Sequence, residues 1–421
     1  MARLSRTTRV IVLAVAAVST IALLRVPDEN SSYGSGRRDE IRWRVPTKTS
    51  IPFEETREFD LSNESCPNGL PLLEPTQVDS VDLELSLFLD LPGAISLVFL
   101  SDNSGFVAER KGRVYSFESG KVLAEPVIDL AANTSTDMDQ GLLGLAVSPD
   151  KKWLYLNRTD LSGSSVVTAH SLTSDISNPG NGVEIIIVDQ PSAMHNGGDL
   201  LFDPEGYLFV SFGDGGGLGD PHGHGQDLST PLGSVLRLDV NPDLWPPHKP
   251  APGNPDLGPG SDPRIWVSGV RNPFRFSFDT ATGDLWLTDL GQQCVEEVTV
   301  LTPAEAGANL GWNLVEGSRP FMGQIESFLR SPDFEYAHGR GRCAIIGGFV
   351  VHDGPHPILE DRYLFTDMCG AQLMSLRLGE QPSVLALPLH STHPVAFVAG
   401  PAQGLYVVDL ASGVWRISTK D

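Results

Sequence analysis

Residues 197–217 read GGDLLFDPEGYLFVSFGDGGG. An apolar run through Phe202 meets the turn Asp203-Pro204-Glu205-Gly206, and a second apolar and aromatic run ends at Phe212. Proline presets one turn position and glycine supplies a positive φ, so the stretch predicts two short strands joined by a tight turn. A glycine- and aspartate-rich corner then closes the unit. The same plan recurs six times, starting at Ile95, Gly141, Gly197, Asn272, Ile345 and His393. The starts lie 46 residues apart at the closest (Ile95 to Gly141) and 75 at the widest (Gly197 to Asn272). Units of that length, each with room for about four short strands, predict an all-β, six-bladed propeller. A blade buries its faces only against neighbours, so the ring has to close. The early run LELSLFLDL, 83–91, is expected to pair with the last blade. A seventh blade concealed in 218–271 is the alternative. The proline-rich stretch 241–263 reads as an inserted loop, and 302–310 as a single helical turn.

Composition agrees with this class. The 421 residues are 40% hydrophobic, with 43 glycines and 32 prolines, as in a globular, turn-rich β protein. Thirty basic against 53 acidic residues give a net charge of −23, spread along the chain. That balance argues against nucleic-acid binding, which needs a basic footprint. Arg3, Arg6 and Arg9 precede the apolar run 10–24, which is shorter than the ~20 residues of a membrane span. Residues 1–24 are therefore expected to be a signal peptide, with an uncleaved membrane anchor as the alternative. An exported protein follows, with a polar linker over 25–78 and the propeller over 79–421. Four cysteines suit an oxidising compartment, and sequons stand at Asn30, Asn63, Asn133 and Asn157.

Several motifs occur together and in order: DQGLLGLAVSPD, HNGGDLLFDPEGYLFVSFGDGGG, GQDLSTPLGSVLRLDVN, GVRNPFRFSFD, TGDLWLTDLGQQCVEEV and GANLGWNLVEG. Over roughly residues 80–418 the chain resembles the glucose/sorbosone dehydrogenase family. That family includes soluble PQQ-dependent aldose sugar dehydrogenases and the propellers of hedgehog-interacting-protein-like proteins. The resemblance implies a six-bladed propeller, the cofactors PQQ and calcium, a small sugar substrate and an electron acceptor.

It also implies roles. His195, in HNGG, matches the family's catalytic base, and a neutral imidazole can take a hydroxyl proton as hydride leaves carbon. A surface-turn histidine is the competing reading. Met194 stands where related dehydrogenases carry Asp or Asn, and methionine cannot orient a ring. Arg271 and Asn272, in GVRNP, match the pair that contacts the quinone; an arginine bracing two blades is the alternative. Gln140 and Gln226 match positions near the cofactor, or else tie loops.

DLGQQCVEE, 289–297, resembles the family's calcium loop. Calcium takes six to eight oxygens, here assigned to the backbone of Gly291, Gln292 and Leu310 and the carboxylates of Glu296 and Glu297. Two adjacent glutamates in an acidic chain are otherwise solvated. His352 and His393 stand where related chains often carry basic groups, a poor supply of cations for a tricarboxylate cofactor. Two other readings stay open: a non-enzymatic, hedgehog-interacting-like binding propeller, and a calcium-dependent lactonase. Cys343 and Cys369 flank the first and middle strands of one candidate blade, and a bridge is expected there. Cys66 would then meet Cys294 over the calcium loop, although four cysteines allow three pairings.

Overall fold

The computed structural model describes residues 66, 70–173, 182–379, 381–401 and 404–420. The apolar segment 10–24 and most of the expected linker lie outside the described residues. The chain divides into Met1–Glu40, also outside them, and Ile41–Asp421, which carries the fold.

Beside a small hairpin of Val315–Glu316 and Arg319–Pro320, six sheets of four or five strands follow one another among the described residues. Their innermost strands are Ala94–Phe99, Leu142–Val147, Leu200–Phe202, Arg275–Phe278, Ile345–Val351 and Pro394–Ala399. Each falls within three residues of a start read from the repeats. Leu83–Leu89 pairs antiparallel with Gly413–Thr419, so the first long strand completes the last blade and closes the ring. No seventh sheet is hidden in 218–271. There, Ser234–Val240, His248–Pro250 and Ile265–Ser268 complete the third blade. The expected loop 241–263 thus contributes an edge strand, its prolines tolerated because an edge has a free side. The segment expected as linker also reaches the propeller: Thr76–Gln77 pairs in parallel with the fifth blade at Leu385 and Ala386.

Packing between blades supplies the core. Tyr155 of the second blade meets Phe202 of the third at 5.3 Å, and Phe209 of the third meets Phe278 of the fourth at 5.0 Å. Trp286 of the fourth blade stacks on Tyr363 of the fifth at 4.6 Å, and Phe99 of the first meets Tyr406 of the sixth at 5.0 Å. Each such pair adds about 0.5–1.5 kcal/mol beyond burial of its area. Helix among the described residues is confined to short 3-10 turns, including Pro303–Glu305 with its Thr302/Glu305 capping box. Cysteines pair as Cys343–Cys369 and Cys66–Cys294. The sequon asparagine Asn157 is 1% exposed inside a strand and cannot accept a glycan.

Candidate active site

The inner strands all run in one direction, so the loops before their starts gather on one side of the ring. His195 lies before the third blade's inner strand, and Arg271 and Asn272 lie before the fourth's. His195 adopts a positive φ of 56°, uncommon for a residue with a side chain. Its N–H donates to Asp139 Oδ2 at 2.8 Å, which holds the loop in that conformation. Gly197 follows with φ 61°, and its N–H donates to Asn272 Oδ1 at 3.1 Å. Gly213 serves close approach: a Cβ there would lie 2.2 Å from the His195 carbonyl oxygen and 2.7 Å from that of Arg271. The two glycine clusters therefore bring these two loops together.

The His195 ring is held at both nitrogens. Nδ1 lies 2.7 Å from Asp214 Oδ1, and Nε2 lies 2.7 Å from Arg271 Nη2. A guanidinium only donates, so Nε2 accepts and the ring proton sits on Nδ1, directed at Asp214. Asp214 is fully buried and well satisfied: Oδ1 also accepts from Gly216 N–H at 2.7 Å, and Oδ2 accepts from Trp312 Nε1 at 2.8 Å. Sequence reading missed this aspartate. It stands 19 residues from the histidine, inside the GDGGG corner read there as turn chemistry. The carboxylate lacking at Met194 is supplied from the next loop instead.

Arg271 is anchored from several directions. Its Nη1 donates to the Leu290 carbonyl at 2.9 Å, and its guanidinium lies 5.6 Å from the Trp312 ring centre. Asp289 accepts from the backbone N–H groups of Arg271 and Asn272, both at 2.7 Å. Burial pushes the Asp289 carboxyl up to about 6, against those hydrogen bonds. Arg271 and His195 thus touch directly, rather than facing each other across a gap. Asn196 beside them is fully buried, and its Oδ1 has no partner among the described residues.

The two glutamines tie loops. Gln226 exchanges amide hydrogen bonds with Asn309 at 3.1 and 2.8 Å and donates to the Trp312 carbonyl at 2.6 Å. Gln140 accepts from Ser135 on its side chain, and its carbonyl accepts from Arg110 Nε at 2.9 Å.

The proposed calcium oxygens do not all converge. Glu296 and Glu297 are adjacent in the strand Val295–Leu301, so their side chains leave opposite faces. Glu296 is hydrogen-bonded to His338 and accepts from Ile345 N–H at 3.1 Å. Burial pushes its carboxyl up to about 7, opposed by His338. Glu297 accepts from Gly317 N–H at 2.6 Å on the other face. Burial, then the charges of Asp289, Glu316 and Glu335, drive its carboxyl well above the ordinary range. Glu316 Oε1 accepts from the N–H groups of Gln293, Cys294 and Val295 at 2.8–3.3 Å. Gln292 Oε1 accepts from Gly219 N–H at 3.2 Å, and Leu310 is buried with its N–H on the Ser268 carbonyl at 2.9 Å. His352 lies elsewhere, between Asp279 at 2.7 Å and Asp361 at 3.1 Å.

Comparison with known proteins follows this geometry. Among curated relatives, the HIPL2 protein of Arabidopsis thaliana is 26% identical over 414 residues, covering 77% of this chain and 59% of that protein. The aldose sugar dehydrogenase YliI of Escherichia coli is 27% identical over 241 residues, covering 54% of this chain and 60% of that one. The chain thus spans less than two thirds of the length of either relative. The apo structure of the soluble E. coli aldose sugar dehydrogenase superposes with a TM-score of 0.67 at 22% identity, covering 80% of this chain and 99% of that one. The PQQ-bound aldose sugar dehydrogenase of Streptomyces coelicolor gives 0.63 at 19%, covering 80% and 98%. Both likenesses establish the six-bladed fold. The model of the family described as Glucose / Sorbosone dehydrogenase matches residues 89–390, well over half of the sequence, and the chain belongs to that family.

Proposed function

We propose that the chain is an exported PQQ- and calcium-dependent dehydrogenase that oxidises the C1 hydroxyl of an aldose to a lactone. The observation that carries this reading is the Asp214–His195–Arg271 relay, a buried imidazole whose proton is fixed on Nδ1 and whose Nε2 carries the lone pair. The aldose sugar dehydrogenase name of the E. coli relative supports it.

His195 Nε2 accepts the C1 hydroxyl proton, exchanging its hydrogen bond from Arg271 for one from the substrate. The resulting imidazolium is stabilised by Asp214, whose carboxylate stays ionised and accepts the hydrogen bond from Nδ1–H. PQQ, when bound, supplies the two-electron acceptor for the hydride that leaves C1. Arg271 and Asn272 would hold its quinone end, and the unpartnered Asn196 Oδ1 offers an acceptor that a bound hydroxyl or N–H group would satisfy. Glu297, with backbone oxygens of Gly291, Gln292 and Leu310, would hold calcium: the charges of Asp289, Glu316 and Glu335 crowd its buried carboxylate, and a cation would relieve that repulsion.

A non-enzymatic, hedgehog-interacting-like binding propeller is the second reading. It is favoured by a shortage of cations for a tricarboxylate: His352, where related chains often carry a basic group, lies between Asp279 and Asp361. Spectral titration with PQQ separates the two. The dehydrogenase reading expects saturable binding that weakens in Arg271→Ala. No binding by the wild type, with or without calcium, would favour the second.

A further inference from the structure

The ends of the inner strands surround a second space, on the opposite side of the ring from His195. A cavity of about 560 Å³ lies there, the size that encloses a small organic molecule. Every blade gives it apolar wall residues, among them Val98, Val147, Phe202, Phe278, Phe349 and Val398. Its floor is the buried pair Asp199 and Arg275, whose Oδ1 and Nη1 are 3.8 Å apart. Arg275 starts in the fourth blade and reaches across the axis, donating to the Ile95 carbonyl of the first blade and the Val395 carbonyl of the sixth, both at 3.0 Å. Its remaining Nη1 donates to the Phe274 carbonyl at 3.0 Å, and Asp199 Oδ2 accepts from Phe276 N–H at 3.1 Å.

These contacts decide what the cavity can take. The floor is an ion pair, and each of the three Arg275 nitrogens already donates to a backbone carbonyl, so a charged ligand would lose hydration without gaining an unpaired counter-ion. Six phenylalanines and three valines in the lining favour a flat apolar body. One fully buried polar atom in the lining has no partner among the described residues. Ser277 is 8% exposed, lines the cavity, and its Oγ has no hydrogen-bond partner among the described residues. Buried hydroxyls are normally satisfied, so an unpartnered one in a cavity wall marks where a ligand atom belongs.

We propose that this cavity is a second binding site, for a neutral aromatic or alicyclic molecule carrying one hydroxyl or carbonyl oxygen that bonds to Ser277. It is independent of the dehydrogenase reading, since none of its wall residues touches His195 or Arg271.

Calorimetric titration of the full chain with 2-naphthol tests it. One molecule per chain should bind, with 2-naphthalenesulfonate at least tenfold weaker. Val147→Trp should fill the space and lower affinity more than tenfold. Ser277→Ala should lower it about two- to tenfold, the worth of one neutral hydrogen bond. Arg271→Ala should leave it unchanged. Should Val147→Trp fail to fold, Val398→Leu narrows the same wall and should weaken binding in the same direction. No binding at millimolar 2-naphthol, equal affinity for the sulfonate, or loss of binding in Arg271→Ala would each overturn the proposal.

Discussion

Arg271 Nη2 donates to His195 Nε2 across 2.7 Å, so the nitrogen with the free lone pair is engaged by a cation from the next blade. In this geometry Nε2 is the accepting nitrogen, and Asp214 on the far side accepts from Nδ1–H.

Asp214→Asn tests the relay. An amide can present N–H as well as oxygen to Nδ1, so the tautomer is no longer imposed. Turnover should fall by about a hundredfold or more with KM little changed, as expected when a base loses its orienting group. Steady-state kinetics with a parallel thermal melt reads this out. A kcat close to wild type would remove Asp214 from the account.

Gly213→Ala should damage the site through packing alone. The added Cβ meets two backbone oxygens, at 2.2 and 2.7 Å, which cannot swing aside as a flexible side chain would. A loss of about 1–3 kcal/mol in denaturant unfolding is expected, with lowered turnover. Unchanged stability would mean that the His195 and Arg271 loops are not packed through this glycine.

Calcium should stabilise through one glutamate and not its neighbour. Chelation should lower the melting temperature and added calcium restore it, because an ion that binds only the folded chain stabilises by mass action. Glu297→Gln should abolish the response, while Glu296→Gln, on the opposite face, should keep it. Elemental analysis that finds no calcium, with no shift on chelation, would discard the site.

Acid should weaken the fold through His170. This residue is 3% exposed, and burial, with the Arg158 charge, pushes its imidazole down to about 4. The unfolded chain takes up the proton near 6.5, before the folded chain does. Stability is therefore full above that pH and falls as pH drops toward 4, by up to about 1.4 kcal/mol per unit for each such group. His248, also pushed down to about 4 by burial, contributes the same trend. Unfolding titrations of His170→Gln should show a shallower acid slope; the same slope as wild type would contradict the assignment.

The six blades were legible because each inner strand starts at a glycine or apolar run that the repeats mark, from Ile95 to His393. Ring closure by Leu83–Leu89 followed from the need to cover an open edge. Asp214 was not legible, because its partner histidine is distant in sequence and its own neighbours are glycines, which read as turns. The separation of Glu296 from the rest of the calcium set was hidden for a different reason. Glu296 and Glu297 were grouped by adjacency, but a strand alternates its side chains, and that separates them. Edge strand His248–Pro250 was hidden by its prolines, since an edge tolerates what a central strand excludes.

Dye reduction by the full chain, loaded with PQQ and calcium and offered a panel of aldoses, tests the central claim most directly when wild type and His195→Ala are compared. Aldose-dependent reduction by the wild type is predicted, with lactone as product. His195→Ala should bind PQQ nearly as well but turn over about 10²–10⁴ times more slowly, the usual worth of a general base. Wild-type protein that binds PQQ yet reduces no dye with any aldose, or a His195→Ala variant as fast as wild type, would contradict it.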